Sequence, residues 1–328
     1  MASKFAISIN QLKNTKLLGI ASKSELKLKN FGDQYNIEKK HRYNNYEEIL
    51  SCKEIDAIYI ATLNNTHVDI IIKAAEAKKN VLCEKPLSTN YEDAIKIFDK
   101  IKKSTIFFLE GIAYRSHEQT EFVVNKIINN EIGDLKSIES TFGFLLKKIN
   151  PESRLFNKNL GGGAILDVGC YPASYSLLLA DLNKNNNLDP KIIDVSGSIC
   201  KTGVDEVAYA TLLFKNNIVA KIGAAIRLKM NNQTLITGSK GSILVTNPWL
   251  PEKKSFIEIK SKTRYYKSFI NSKLDIFANQ IDIVNKCILE GKKETNFPGM
   301  KWNDSIKNML IIDKWKKKFI KNNNEKNN

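Results

Sequence analysis

Short apolar runs alternate with segments of helical period over the first third of the chain. Residues 16–21 (KLLGIA), 55–61 (IDAIYIA), 80–83 and 105–110 read as buried strands, because strands covered on both faces carry near-continuous apolar runs. Residues 2–12, 24–35, 46–52, 68–78 and 91–102 are predicted as helices. In 68–78, for example, Ile71, Ile72, Ala75 and Ala77 fall on one apolar side. Strands alternating with helices of this length predict a parallel sheet covered by helices on both faces.

After about residue 112 the pattern changes. Residues 116–130 read as a helix and 135–144 as a strand, and Gly161-Gly162-Gly163 leads into a helix over 164–179. A polar loop is predicted at 183–190. Strands follow at 192–199, 207–214, 218–226, 233–237, 242–246 and 256–261, close together and joined by turns such as Lys215-Asn216-Asn217. That spacing predicts an antiparallel sheet. Helices at 274–289 and 304–319 close the domain. The expected organisation is an α/β, Rossmann-like doubly wound domain over 1–112 and an α+β domain with a largely antiparallel open sheet over 113–320. A polar tail over 321–328 is expected to be disordered.

At 328 residues with 42% hydrophobic content, the chain can bury two cores. No run approaches the ~20 apolar residues of a membrane span, and the apolar stretch at the start is too short for a signal peptide. The expectation is a cytoplasmic protein with no membrane partner. Five scattered cysteines form no CxxC, and His41, His67 and His117 lie far apart, so spacing points to neither a disulfide framework nor a metal site. The net charge of +16 invites a nucleic-acid reading. Only Arg42, Arg115, Arg154, Arg227 and Arg264 are arginines, however, and the lysines are spread along the whole chain. That pattern fits a solvated surface better than a face reading phosphates and base edges, so no nucleic-acid partner is expected.

Three segments carry candidate chemistry: Ala61-Thr62-Leu63-Asn64-Asn65-Thr66-His67 and Cys83-Glu84-Lys85-Pro86-Leu87, each at a strand end, and Gly161 to Pro172 (GGGAILDVGCYP). In open α/β sheets ligands bind beyond the carboxyl ends of the strands, where the first two fall. Asp167 and Tyr171 are four apart and share a helix side. A lysine beside a polarised C–O, with a phenol near it, can handle a hydroxyl proton. The neighbouring cation is expected to lower the phenol pKa, and partial desolvation to lower that of Lys85.

Taken in order, these motifs resemble the Gfo/Idh/MocA oxidoreductase family, in particular the branch holding dimeric dihydrodiol dehydrogenases and D-xylose dehydrogenases. The resemblance extends to Glu110–Gln119 (EGIAYRSHEQ) and Met300–Ser305 (MKWNDS). It implies a dinucleotide-binding first domain, a second domain for substrate binding and oligomerisation, and hydride transfer on a sugar-like or diol substrate. Lys85, Asp167 and Tyr171 would be catalytic and face substrate, joined there by Arg115. Thr62, Asn64, His67, Glu84, Lys85 and Pro86 would line the cofactor. A homodimer or higher homo-oligomer is implied as well.

The family normally opens with a strand and a GxGxxG turn that cradles the pyrophosphate. No GxGxxG occurs in the 328 residues, and residues 2–12 read as the helix that should follow it. The expectation is that a first strand and its turn, roughly 15–20 residues by the size of such a unit, are missing. A misplaced start accounts for this better than a truncated gene does. Weak stability or poor dinucleotide affinity is the predicted consequence, and a non-catalytic relative is the rival reading. After the second strand, Ala21-Ser22-Lys23-Ser24 stands where an acidic residue would hold the ribose of NAD. Ser22 and Lys23, a hydroxyl and a cation, suit a 2′-phosphate, so NADP is expected, with NAD possible. Ser22 could equally cap the next helix.

Overall fold

The computed structural model describes residues 1–182, 189–261 and 263–326. The first domain runs Ala2–Ile9 (α1), Ile20–Ala21 (β1), Glu25–Gln34 (α2), Arg42–Tyr43 (β2), Tyr46–Ser51 (α3), Ala57–Ile60 (β3), His67–Glu76 (α4), Asn80–Glu84 (β4), Tyr91–Lys102 (α5) and Phe108–Gly111 (β5). Helix starts are set locally. Ser24, Asn45 and Asn90 accept from the backbone amides of Lys27, Glu48 and Asp93, which caps α2, α3 and α5. Parallel pairing joins β3, β4 and β5 in that order, and separately joins β1 to β2. Among the described residues no strand bridges β1 to β3. The strand predicted over 16–21 is thus reduced to two residues, because that edge has one partner in place of two.

The second domain begins with Glu118–Ile128 (α6) and Leu135–Gly143 (β6), and Cys170–Ala180 forms its central helix, α7. Lys191–Ile199 (β7), Asp205–Leu213 (β8), Val219–Ala225 (β9), Gln233–Gly238 (β10), Gly241–Thr246 (β11), Lys254–Ser261 (β12) and Tyr265–Asn271 (β13) complete an eight-stranded sheet. Its order is β13-β12-β11-β10-β6-β9-β8-β7, antiparallel except for the β6–β9 pair. Alternation along β8 shows why one face is packed: Ala208, Ala210 and Leu212 are buried, while Tyr209, Thr211 and Leu213 point to the other side.

Ile276–Leu289 (α8) and Trp302–Lys326 (α9) follow. The last helix touches both domains. The Trp302 indole donates to Phe108 O on β5, that of Trp315 to Tyr209 O on β8, and Lys318 Nζ to Ile192 O on β7, at 3.1, 3.2 and 2.7 Å. α1 packs beside α8, where Ser8 Oγ donates to Asp275 at 2.9 Å and Asp275 caps α8.

Three expectations need correction. β13 is a strand beyond those expected from the sequence, and its residues alternate in exposure from Tyr265 to Asn271. The tail is helical through Lys326, with Lys321 and Glu325 paired one turn apart. Thirdly, Lys158–Ala180 is apolar and long enough to cross a membrane, yet residues 161–180 are all buried here as a core segment. The loop predicted at 183–190 lies, for 183–188, outside the described residues, as do 327–328 of the tail.

Candidate active site

Lys85 follows β4 and lies against the second domain. Its ammonium donates to the Asp167 backbone carbonyl and sits 3.3 Å from Asp167 Oδ1. It also lies 5.1 Å from the centre of the Tyr171 ring, over its face. Tyr171 packs in turn against Phe142, Trp249 and Tyr114, with ring centres 5.1, 6.1 and 6.2 Å away. The fold thus brings Lys85, Asp167 and Tyr171 together, as the motifs predict.

The helix bearing the last two starts with an irregularity. Residues Ile165–Gly169 form a π-turn before α7 begins at Cys170. Such wide turns recur at functional sites. Its start is anchored by Asp205, whose carboxylate accepts from Ile165 N at 2.6 Å. Gly163 permits that approach: its φ is +112°, and a Cβ there would lie 2.2 Å from Asp205 Oδ1.

The charges settle differently from the sequence-based expectation. Burial is the largest single influence on Lys85 and opposes its charge, but the Asp167 carboxylate together with Tyr171, Cys170 and Glu84 outweighs it and the Lys85 pKa is raised. Burial likewise opposes the charge of Asp167, and Lys85 with Arg154 holds that carboxyl below its usual range. For Tyr171 burial is the largest influence and raises the phenol, with Lys85 pulling the other way without prevailing. Lys85 is therefore a fixed ammonium and Tyr171 a neutral phenol. Both predicted downward shifts are corrected, since burial and the Asp167 carboxylate dominate.

Arg154 was overlooked as a site residue. Its Nη1 donates to Asp167 Oδ1 at 2.8 Å from a loop thirteen residues upstream. The only available signal was scarcity. All five arginines are ion-paired within the chain, to Asp33, Asp304, Asp167, Glu206 and Glu131. That pattern is the opposite of a free phosphate-reading surface.

Arg115 is a correction. It is buried and its guanidinium donates to Pro298 O, Gly299 O and Asp304 Oδ2 at 2.5, 3.0 and 2.6 Å. It staples the segment leading into α9 and is removed from the substrate-binding set. His117 is buried and caps α6 through Gln119 N.

On the cofactor side, Ser22 and Lys23 follow β1, Thr62 follows β3, and Lys85 and Pro86 follow β4, all at carboxyl strand ends. His67 Nδ1 lies 3.1 Å from Pro86 O. A carbonyl only accepts, so Nδ1 carries the proton, and burial keeps the ring neutral. Its Nε2 is a buried acceptor with no partner among the described residues. Glu84 is buried and takes the Tyr59 hydroxyl, so its carboxylate is engaged internally. Asn64 is also buried, with its amide 3.4 Å from Gly161 O. That contact ties the two domains. Ser22 Oγ accepts from Ser24 N at 3.2 Å, which supports the cap of α2.

Residues 1–111 match the oxidoreductase family with an NAD-binding Rossmann fold, and residues 123–244 match the GFO/IDH/MocA C-terminal domain. The chain belongs to the Gfo/Idh/MocA oxidoreductase family. Its similarity to trans-1,2-dihydrobenzene-1,2-diol dehydrogenase of Xenopus tropicalis is 29% identity over 322 residues, 95% of this chain and 93% of that protein. The enzyme of the same name from Mus musculus is 25% identical over 304 residues, covering 90% of this chain and 87% of that protein. Among solved structures, an aldose-aldose oxidoreductase from Caulobacter crescentus superposes with a TM-score of 0.84 at 21% identity, over 94% of this chain and 91% of that one. A 3-ketoreductase from Actinomadura kijaniata, in complex with NADP and TDP-benzene, gives 0.82 at 21% identity over the same shares. These two share the fold of this family member.

Proposed function

We propose that this family member interconverts a secondary alcohol and a carbonyl on a sugar, cyclitol or diol, with NADP as the preferred dinucleotide. The observation that carries the reading is Lys85, a cation held between Asp167 and the Tyr171 ring at the carboxyl end of β4. An ammonium fixed in a half-closed cleft can donate to a carbonyl oxygen as negative charge develops there. Asp167 keeps Lys85 charged and oriented, and Arg154 holds Asp167 in place. The neutral Tyr171 phenol is a second donor to the same oxygen. In the reverse direction the substrate hydroxyl returns its proton to the group that gave it up in the reduction, Lys85 as free amine or Tyr171 as phenolate, as the hydride leaves and the carbonyl forms.

The residues present fit the two ends of a dinucleotide. Ser22 and Lys23 would hold the 2′-phosphate end, and Thr62, His67 and Pro86 the nicotinamide end. His67 Nε2 offers an unmet acceptor there. When bound, the nicotinamide supplies the hydride chemistry. The open face of the eight-stranded sheet, with Glu139, Thr141, Asp194, Tyr209 and Lys221 around a groove of about 280 Å³, would seat a second copy of the chain.

Fluorescence titration with NADPH and NADH, followed by assay on sugars and diols, tests this. Micromolar NADPH binding with turnover of a hydroxyl compound supports the reading. One feature favours the rival, a non-catalytic relative that binds dinucleotide poorly: no GxGxxG turn occurs in the chain. Binding without turnover of any alcohol or carbonyl, or no binding, would favour it.

A further inference from the structure

Beside the β1–β2 pair of the first domain, three metal-binding side chains converge. A ring nitrogen of His41, the Cys52 thiol and a Glu54 carboxylate oxygen all lie within 4.8 Å of one another. They come from the turn before β2, the end of α3 and the lead into β3. Their spacing in sequence, eleven and then two residues, resembles no familiar ligand motif, which is why only the fold reveals them.

The geometry suits an ion better than a hydrogen-bonded trio. His41 is buried, and its Nε2 lies 3.9 Å from Glu54 Oε2. That is too long for a hydrogen bond. It is within the span of two zinc–ligand bonds, about 2.0–2.2 Å each. The other ring nitrogen, Nδ1, is 3.2 Å from the Tyr43 hydroxyl. Histidines that bind metals are commonly held in this way at the second nitrogen, which fixes the tautomer and leaves the first free to ligate. Tyr43 Oη can donate or accept, and in the tautomer in which Nδ1 donates to it Nε2 presents a lone pair towards Glu54, the tautomer that zinc binding selects.

We propose that His41, Cys52 and Glu54 form a zinc site, with Tyr43 orienting the histidine. The thiolate and the carboxylate together neutralise a divalent cation, the thiol proton going to solvent on binding, and the His–Cys–carboxylate donor set is one zinc accepts. Three protein ligands leave a fourth position for water. Lys79 does not compete for the donors, because its ammonium is bonded to the carbonyls of Cys52 and Ile55 at 2.6 and 2.7 Å. The ion's role is mechanical. β1 and β2 are two residues each and pair only with one another among the described residues. An ion at this place ties that outer pair to the segment entering β3.

The test uses the reduced full-length protein stripped by a chelator. One equivalent of Co²⁺ should produce tetrahedral ligand-field bands and a thiolate charge-transfer band, the latter lost in Cys52→Ser. Cys52 is the one cysteine that is not buried, so iodoacetamide modifies it selectively in the native fold, and Zn²⁺ should protect it. Tyr43→Phe should weaken Zn²⁺ binding about 10- to 100-fold, and the exposed Glu54→Gln at least as much, each measured as the loss of Zn²⁺ protection relative to the same variant's own metal-free Cys52 alkylation rate. If Co²⁺ gives no thiolate band, or Zn²⁺ leaves Cys52 alkylation unslowed, or Cys52→Ser binds Co²⁺ as wild type does, the site does not exist.

Discussion

Arg154 and Lys85 reach the same oxygen of Asp167, at 2.8 and 3.3 Å, from opposite domains of the molecule. The carboxylate is thereby shared between a half-exposed guanidinium and a nearly enclosed ammonium. Removing Arg154 leaves Asp167 to Lys85 alone. For Arg154→Met we expect kcat to fall about tenfold while dinucleotide binding is kept, because Asp167, which positions the Lys85 ammonium, loses its own second partner. A split between turnover and NADPH affinity measured on the same preparation checks this.

Lys85→Met should reduce kcat by about a hundred- to ten-thousand-fold, the usual range for a proton donor. The melting temperature should fall, since the buried Asp167 carboxylate is left with Arg154 as its one remaining cation. A variant with normal turnover would exclude Lys85 as the proton donor.

Lys23 is exposed beyond β1, with its ammonium 5.6 Å from the Tyr46 ring. Lys23→Glu should weaken NADPH binding about tenfold or more, equivalent to ~1.4 kcal/mol, and leave NADH nearly unaffected. Equal losses for both dinucleotides would move the 2′-phosphate elsewhere.

Arg115→Ala should destabilise strongly, by about 3–5 kcal/mol, because it leaves Asp304 without its partner and two carbonyls without their donor. The substrate KM of whatever fraction folds should be unchanged. A raised KM with normal stability would return Arg115 to the substrate pocket.

The pH dependence of stability should carry a signature of Glu110. Burial pushes its carboxyl up from 4.5 to about 7, although Oε1 accepts from Leu87 N. A carboxyl with a raised folded pKa binds its proton more tightly in the native state. Its contribution is therefore present below about 4.5 and is lost as pH rises towards about 7. Asp205, pushed up from 3.8 to about 6 by burial, acts in the same direction. Glu110→Gln cannot ionise and keeps an acceptor for Leu87. Its melting temperature relative to wild type should be higher at pH 8 than at pH 5. A pH-independent difference would show that Glu110 does not titrate in this window.

The meeting of Lys85, Asp167 and Tyr171 was legible before any coordinates, because each lies in a motif tied to a strand end or a helix start. Arg154 and Asp205 were not. One acts across thirteen residues of irregular loop and the other from the first residue of β8, and no periodicity connects either to its target. Arg115 was misread for a related reason: it sits at the domain junction, but its partners at 298–304 are nearly two hundred residues away. The pKa directions failed because they depend on how completely the cleft is enclosed, and enclosure is a property of both domains together.

The 25-residue helix α9 is about 37 Å long and is bolted to β5 at one end and to β8 and β7 further along. A single beam thus sets the distance between the two sheets. Swinging the domains apart would require breaking the beam or pulling out the Trp302 and Lys318 fastenings. The cleft is a jaw with a fixed heel. Whatever enters or leaves must pass at the lip, past the Arg154 loop and the Ser22–Lys23 edge. The bite itself is Lys85 of one jaw against Asp167 of the other, 3.3 Å apart.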